Sequence, residues 1–108
     1  MSSTTLLMAT ETLDQFIRAL DDVYWEASDL AEKDVIYNIS RVLTDELIEL
    51  HKVSIQDGHY KYEPVGENLR NIIPQLAWLN DNLSRITRRT DTQSEVQPLL
   101  RVIQQLIS

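Results

Sequence analysis

The stretch from Leu13 to Leu30 reads LDQFIRALDDVYWEASDL, and its apolar residues recur at alternating steps of three and four. This spacing places them along one face of an α-helix. A second series with the same steps and the same length runs from Leu69 to Ile86. We therefore expect two amphipathic helices that pack side by side through two stripes: Leu13, Phe16, Leu20, Val23, Ala27 and Leu30, and Leu69, Ile72, Leu76, Leu79, Leu83 and Ile86.

A third apolar series lies between these two and is out of phase with the first. It consists of Ile36, Ile39, Leu43, Leu47 and Leu50. The phase shift predicts a break near residues 31–35, where Asp29-Leu-Ala-Glu32 resembles a capping box and Asp34 is a possible N-cap. The alternative is one helix from about Thr10 to Val53, more than about 60 Å long at 1.5 Å per residue, which would make dimerisation obligatory.

Two prolines constrain the remaining helices. At Pro74 the helix either kinks, or a short turn ends there and a new helix begins. Pro98 closely follows Ser94-Glu95 and is tolerated near the start of a last helix. We predict a single helical domain over residues 1–108, with helices at about 10–31, 34–52, 66–89 and 94–107.

Polar and apolar residues alternate strictly between Val53 and Val65, about a central Asp57-Gly58. An Asp-Gly pair suits a type I′ turn, so the pattern predicts a short β-hairpin at about 53–62. Tyr60 and Tyr62 would close one end of the core, on the same face as Val53 and Ile55. The predicted fold is mainly α, a small bundle of three or four amphipathic helices with this one hairpin.

Charge is distributed unevenly along the chain, whose net charge is −7. Residues 1–57 carry twelve acids and four bases, a net of −8, whereas residues 58–108 carry five acids and six bases, a net of +1. An acidic N-terminal part and an arginine-bearing C-terminal part could attract one another, within one subunit or between two.

The composition excludes several classes of chemistry. There is no cysteine, so disulfides, thiolate metal sites and cysteine nucleophiles are excluded, and a cytoplasmic location is indicated. The apolar segments are too short for a signal peptide or a membrane span, so we expect no membrane partner. Because no P-loop, dinucleotide-binding turn, hydrolase elbow or zinc-protease motif occurs, we expect no enzyme and no cofactor. His51 and His59 lack the Glu-x-x-His spacing of a metal site, so no metal is expected either.

Five residues are candidates for a partner interface. Trp25 and Trp78 lie off the apolar stripes, and tryptophan is enriched at the centres of protein interfaces. Arg85, Arg88 and Arg89 lie within one turn near the end of the third helical segment, where positive charge complements the helix dipole. The functional alternative is a contact with an anion or a nucleic acid, or a docking site for the acidic part of a second subunit.

These features predict a non-enzymatic protein–protein interaction protein, of the regulatory or adaptor kind and a homodimer, that uses a face containing Trp25 or Trp78. A further hypothesis is that the acidic N-terminal part imitates DNA and occupies a nucleic-acid-binding partner.

The segment from Tyr60 to Leu79 resembles the wing strand and following dimerisation helix of small bacterial winged-helix repressors. The resemblance implies a DNA-binding transcriptional regulator as the alternative function, with residues 43–51 as its recognition helix. That helix contains Asp45, Glu46 and Glu49, and three acids facing phosphates oppose DNA binding. The charge therefore disfavours a nucleic-acid partner.

Overall fold

The computed structural model describes residues 4–52 and 58–107. These residues form four α-helices, α1 (Leu6–Glu26), α2 (Leu30–His51), α3 (Ile73–Ile86) and α4 (Thr90–Ile107). A short 3-10 turn (Leu69–Ile72) leads directly into α3. The predicted mainly helical bundle is thus confirmed.

The break between the first two helices occurs earlier than predicted. It spans residues 27–29 rather than 31–35, and the alternative of one continuous helix is wrong. Asp29 is the N-cap of α2, because its Oδ1 accepts a hydrogen bond of 2.9 Å from the backbone N–H of Ala31. Leu30 is consequently the first residue of α2, and with 72% of its surface exposed it does not belong to the core stripe.

The other helix ends also differ from the predicted ones. α1 begins four residues early, at Leu6, because Thr5 caps it with a hydrogen bond from Met8. Pro74 is the second residue of α3, where no intrahelical N–H is required, so a new helix begins there rather than a kink. The extended backbone of Thr87 ends α3 before residue 89.

The predicted hairpin at 53–62 is not supported. Its first strand, residues 53–57, lies outside the described residues, and the described part of the chain contains no strand. Lys61 instead forms an isolated antiparallel bridge with Thr5, flanked on both sides by backbone hydrogen bonds of 2.8 Å. The second half of the predicted hairpin therefore pairs with the residues that precede α1.

The two tyrosines of the predicted hairpin do not share one environment. Tyr62 is buried, with 5% of its surface exposed, whereas 58% of Tyr60 is exposed. Only Tyr62 covers the core, so the prediction that both rings close it is wrong for Tyr60.

The helices pack in a ring around one core. α1 packs against α2 and α4, and α3 packs against α4 and against α2. The predicted stripes face inward apart from Leu30. The largest fully buried apolar side chains come from all four helices and the 3-10 turn: Phe16, Leu13, Leu20, Ile36, Ile39, Leu43, Leu69, Ile72, Leu76, Leu79, Leu100 and Ile103.

Candidate functional site

Four of the five predicted interface residues lie at one end of the bundle. Trp25 stands near the C-terminal end of α1, with 71% of its surface exposed. Arg85 lies in the last turn of α3. Arg88 and Arg89 lie in the connection between α3 and α4 rather than on a helix, and both are exposed.

Glu26 joins these elements. Its carboxylate accepts hydrogen bonds from the backbone N–H groups of Arg88 (2.8 Å) and Arg89 (2.9 Å) and from the hydroxyl of Thr92. Glu26 therefore joins the end of α1 to the connection that precedes α4 and, through Thr92, to the first turn of α4. Burial alone would raise the pKa of Glu26, but the hydrogen bonds from Thr92, Arg89 and Arg88 together hold this pKa below its ordinary value.

A second carboxylate at this end of the bundle, on α2, binds Arg85. Glu32, in the first turn of α2, is 7% exposed and forms an ion pair with Arg85. Arg85 also donates a hydrogen bond of 3.0 Å to Asn82. The acidic and arginine-bearing parts therefore meet within one subunit, as one of the two sequence-based alternatives anticipated. Arg85 serves this internal contact.

Trp78 is not exposed in the way that its place off the stripe suggested. It lies on α3, half-buried and packed against the core. Its backbone carbonyl accepts a hydrogen bond of 2.8 Å from the side chain of Asn82. Neighbouring residues of the same chain thus cover part of the indole, and Trp25 is the tryptophan that a partner can reach.

A groove of about 580 Å³ runs between α1 and α2 beside Trp25. We call it the α1–α2 groove. Ile17, Tyr24 and Trp25 form much of its α1 wall, and Ile36 and Tyr37 line its α2 wall. Its walls are apolar and aromatic, and 60% of the Tyr37 surface is exposed.

The aromatic wall of the groove is held in place by contacts within the chain. The rings of Tyr24 and Trp25 meet edge to face, with centroids 5.3 Å apart. The ammonium of Lys33 lies 4.5 Å from the Tyr24 centroid and 5.4 Å from that of Trp25, and it also donates to the Tyr24 carbonyl. Cation–π contact of this kind orders both rings.

The rim of the groove carries charges of both signs. Arg18 forms an ion pair of 3.2 Å with Asp14. Asp21, which lines the groove, and Asp34, one turn before Tyr37, are exposed, and neither takes part in any of the ion pairs found among the described residues. The uncompensated charge at the rim is therefore negative.

Glu46 is a buried structural side chain that the sequence pattern placed wrongly. It was expected among the exterior acids of residues 43–51, yet it is 1% exposed. Its carboxylate accepts hydrogen bonds from the Tyr62 hydroxyl (2.6 Å) and from the backbone N–H groups of Val65 (2.9 Å) and Gly66 (2.7 Å). Glu46 lies three residues after the core residue Leu43, and this phase could have revealed its burial.

The hydrogen bond between Tyr62 and Glu46 also shifts the pKa of Tyr62. Burial, the hydrogen bond to Glu46 and the negative charge of Glu46 all raise the pKa of Tyr62 far above its ordinary value. The neutral phenol is thereby kept as a donor, so the pair anchors residues 62–66 to α2.

Two further observations concern the described residues only. Nowhere in residues 4–52 and 58–107 do three or more His, Asp or Glu side chains gather in a way that could hold a metal ion. In the same part of the chain, none of the helices combines the length and the apolar character that crossing a membrane requires.

Comparison with known proteins gives no match to a family model, to a curated protein or to a solved structure.

Proposed function

We propose that this chain is a non-enzymatic protein-interaction module, of the adaptor or regulatory kind, that binds a partner in the α1–α2 groove. The observation that carries the proposal is the exposure of Trp25 beside an apolar groove. Burying an aromatic side chain of this size is worth several kcal/mol at about 25 cal/mol per Å². Because the fold leaves the Trp25 side chain in water, this free energy can be gained when a partner covers it.

The shape of the site supports the same proposal. A volume of about 580 Å³ accommodates one or two side chains of a partner. Trp25 and Tyr37 flank it, and aromatic residues around a pocket are typical of interface hot spots. Because Lys33 orders the Trp25 ring before binding, little side-chain entropy is lost when the partner docks.

The partner is either another protein or a second copy of the chain. The homodimer expected from the sequence stays a prediction, and the α1–α2 groove is the surface that it would use. Light scattering at micromolar concentration tests it directly. The cytoplasmic location likewise stays a prediction.

The winged-helix alternative stays a prediction that the geometry of α2 disfavours. Residues 43–51, which would be its recognition helix, form the second half of the continuous helix α2. Leu43, Leu47 and Leu50 of that half are buried in the core, and Glu46 is turned inward. The described residues also supply no strand pair that would serve as a wing.

The experiment that tests the proposal is co-purification of tagged chain from the native organism, followed by identification of bound proteins and measurement of affinity with the purified partner. We expect Trp25→Ala and Tyr37→Ala each to weaken binding by about tenfold or more, as hot-spot residues do. Tyr60→Ala is the matched control, because Tyr60 is exposed to nearly the same extent, 58% against 60% for Tyr37, but is not part of the groove.

Equal binding by the Trp25→Ala variant and the unaltered chain would refute the proposal. Circular dichroism of each variant establishes that the helices remain, which the exposure of the substituted side chains leads us to expect.

A further inference from the structure

We infer that the occupant of the α1–α2 groove is a basic amphipathic helix of another protein, with an apolar stripe that enters the groove and Lys or Arg side chains that flank it. This inference rests on the proposed function and names the chemistry of the partner.

The first argument is the charge of the two helices that form the groove. α1 and α2 together contain ten acidic residues and three Lys or Arg residues, a net of −7, which equals the net charge of the whole chain. Three of these acids, Glu26, Glu32 and Glu46, are bound by other parts of the chain, which leaves seven acids against three bases, a net of −4. A partner that approaches the two helices therefore meets a negative potential, which attracts positive side chains and speeds their association.

The second argument is that the cations of this face are already engaged. Arg18 is paired with Asp14, Lys33 lies over the aromatic rings, and Arg41 donates a hydrogen bond of 3.1 Å to Asn38. Asp21 and Asp34 carry no ion pair among the described residues. Asp21 lines the α1 wall of the groove, and Asp34 lies on α2 one turn before Tyr37, so each of the two helices offers a free carboxylate to basic residues of one bound helix.

The third argument is the shape of the groove. Its α1 wall extends from Ile17 to Trp25, which is about 12 Å at 1.5 Å per residue, or about two helical turns. Two neighbouring helical walls that carry apolar and aromatic side chains accept a third amphipathic helix, whose anchors recur every three or four residues. The groove length thus matches two such anchors.

The same charges disfavour a second copy of the chain as occupant. Two identical α1–α2 faces would bring the free carboxylates of Asp21 and Asp34 against those of the second copy, and like charges across an interface oppose association. A basic partner removes this repulsion and gains attraction in its place.

The test uses a displayed library of helical peptides of about 18 residues, with leucines fixed along one stripe and the flanking positions randomised. Peptides are selected on the purified chain at low salt and sequenced. We expect the enriched pool to carry Lys and Arg at the flanks and a selected peptide to lose affinity about tenfold when ionic strength screens the charges.

Two double variants, each of which removes two negative charges, show whether the acids beside the groove cause the attraction of basic peptides. Asp21→Asn with Asp34→Asn is expected to weaken a selected peptide by about tenfold, whereas Glu63→Gln with Glu67→Gln, which removes two exposed acids away from the groove, leaves its affinity within about twofold. The emission shift of Trp25 in a Trp78→Phe background reports binding in the groove.

Several results would overturn the inference. The inference would fail if the enriched peptides carried neutral or acidic flanks, or if the two double variants lost affinity equally. The proposed function would still stand in either case, provided that peptide binding depended on Trp25. A dimer of the chain that Trp25→Ala abolishes would identify a second copy as the occupant. If no selected peptide depended on Trp25, both the inference and the proposed function would fail.

Discussion

The hydroxyl of Tyr62 donates a hydrogen bond of 2.6 Å to the carboxylate of Glu46, sixteen residues earlier in the chain. Both side chains are buried, and Val65 and Gly66 complete the coordination of the carboxylate with their backbone N–H groups. A single side chain of α2 therefore binds residues 62–66, which precede the 3-10 turn.

Replacing Glu46 by Ala is expected to lower the free energy of unfolding by about 2 kcal/mol, because three donors lose a charged acceptor in a protected site. Tyr62→Phe should cost about 1 kcal/mol, since one of these bonds is lost. Urea unfolding measures both values, and the double variant should cost less than the sum. Asp45→Ala, the exposed neighbour, should change stability by less than about 0.5 kcal/mol; a similar loss there would contradict the assignment.

Substituting Gly66 by Ala tests the same cluster from the backbone side. A Cβ at this position would lie 3.1 Å from Oε1 of Glu46, so the carboxylate has to retreat by a few tenths of an ångström and its hydrogen bonds weaken. We expect a loss of about 1 kcal/mol in the Glu46 background. In a Glu46→Ala background the loss should disappear, and a loss of unchanged size would show that the carboxylate is not its cause.

Tyr62 predicts how stability changes at alkaline pH. Its pKa is raised by burial, by the hydrogen bond to Glu46 and by the charge of Glu46. The stabilisation it provides is complete below the unfolded pKa of 10.0 and is lost as pH rises beyond that value, because the unfolded chain then releases the proton first. The urea midpoint should fall less steeply above about pH 10 in Tyr62→Phe than in the unaltered chain. Identical slopes for the two proteins would disprove this contribution.

From the lowered pKa of Glu26 we expect stability to be lost at acid pH. Its pKa is lowered from 4.5 because the hydrogen bonds and charge around it outweigh the effect of burial. The stabilisation is present above 4.5 and is lost as pH falls through the lowered folded value. We expect Glu26→Gln to cost about 1 kcal/mol at neutral pH, because three donors lose a charged acceptor, and to flatten the acid limb of the stability curve. Asp22→Asn, an exposed neighbour on α1, is the control and should leave that limb unchanged.

The difference between the two tryptophans can be measured without any partner. In Trp78→Phe the remaining Trp25 should be quenched by acrylamide with a high rate constant and emit at long wavelength, because most of its surface is exposed. In Trp25→Phe the remaining Trp78 should be quenched more slowly, since it packs against the core. Equal quenching of the two variants would contradict the geometry of the candidate site.

The sequence predicted the core well because helical periodicity reports directly on burial. The stripe from Leu69 to Ile86 and the series from Ile36 to Leu50 are buried as expected. The predicted burial of Leu30 is wrong because the apolar periodicity continues across the break between α1 and α2, which only the N-cap at Asp29 marks.

The remaining differences come from contacts between distant parts of the chain. The alternation of residues 53–65 indicates extended structure, but it does not specify a partner, and the bridge of Lys61 to Thr5 joins residues far apart in sequence. Glu46 was predicted to be an exterior acid because its acceptor role depends on backbone N–H groups that are nineteen and twenty residues away. Local pattern carries no information on such pairs.

The hydrogen bonds that Glu26 accepts have a consequence for the order of folding. The acceptor is at the end of α1, and its donors belong to Arg88, Arg89 and Thr92, which follow it by sixty-two, sixty-three and sixty-six residues. These hydrogen bonds close the longest loops among those described above. Long loops are costly to close and slow to form. During synthesis α1 can pack against α2 as soon as α2 has formed, but the ring of helices closes only once α4 has left the ribosome and covers the other side of α1.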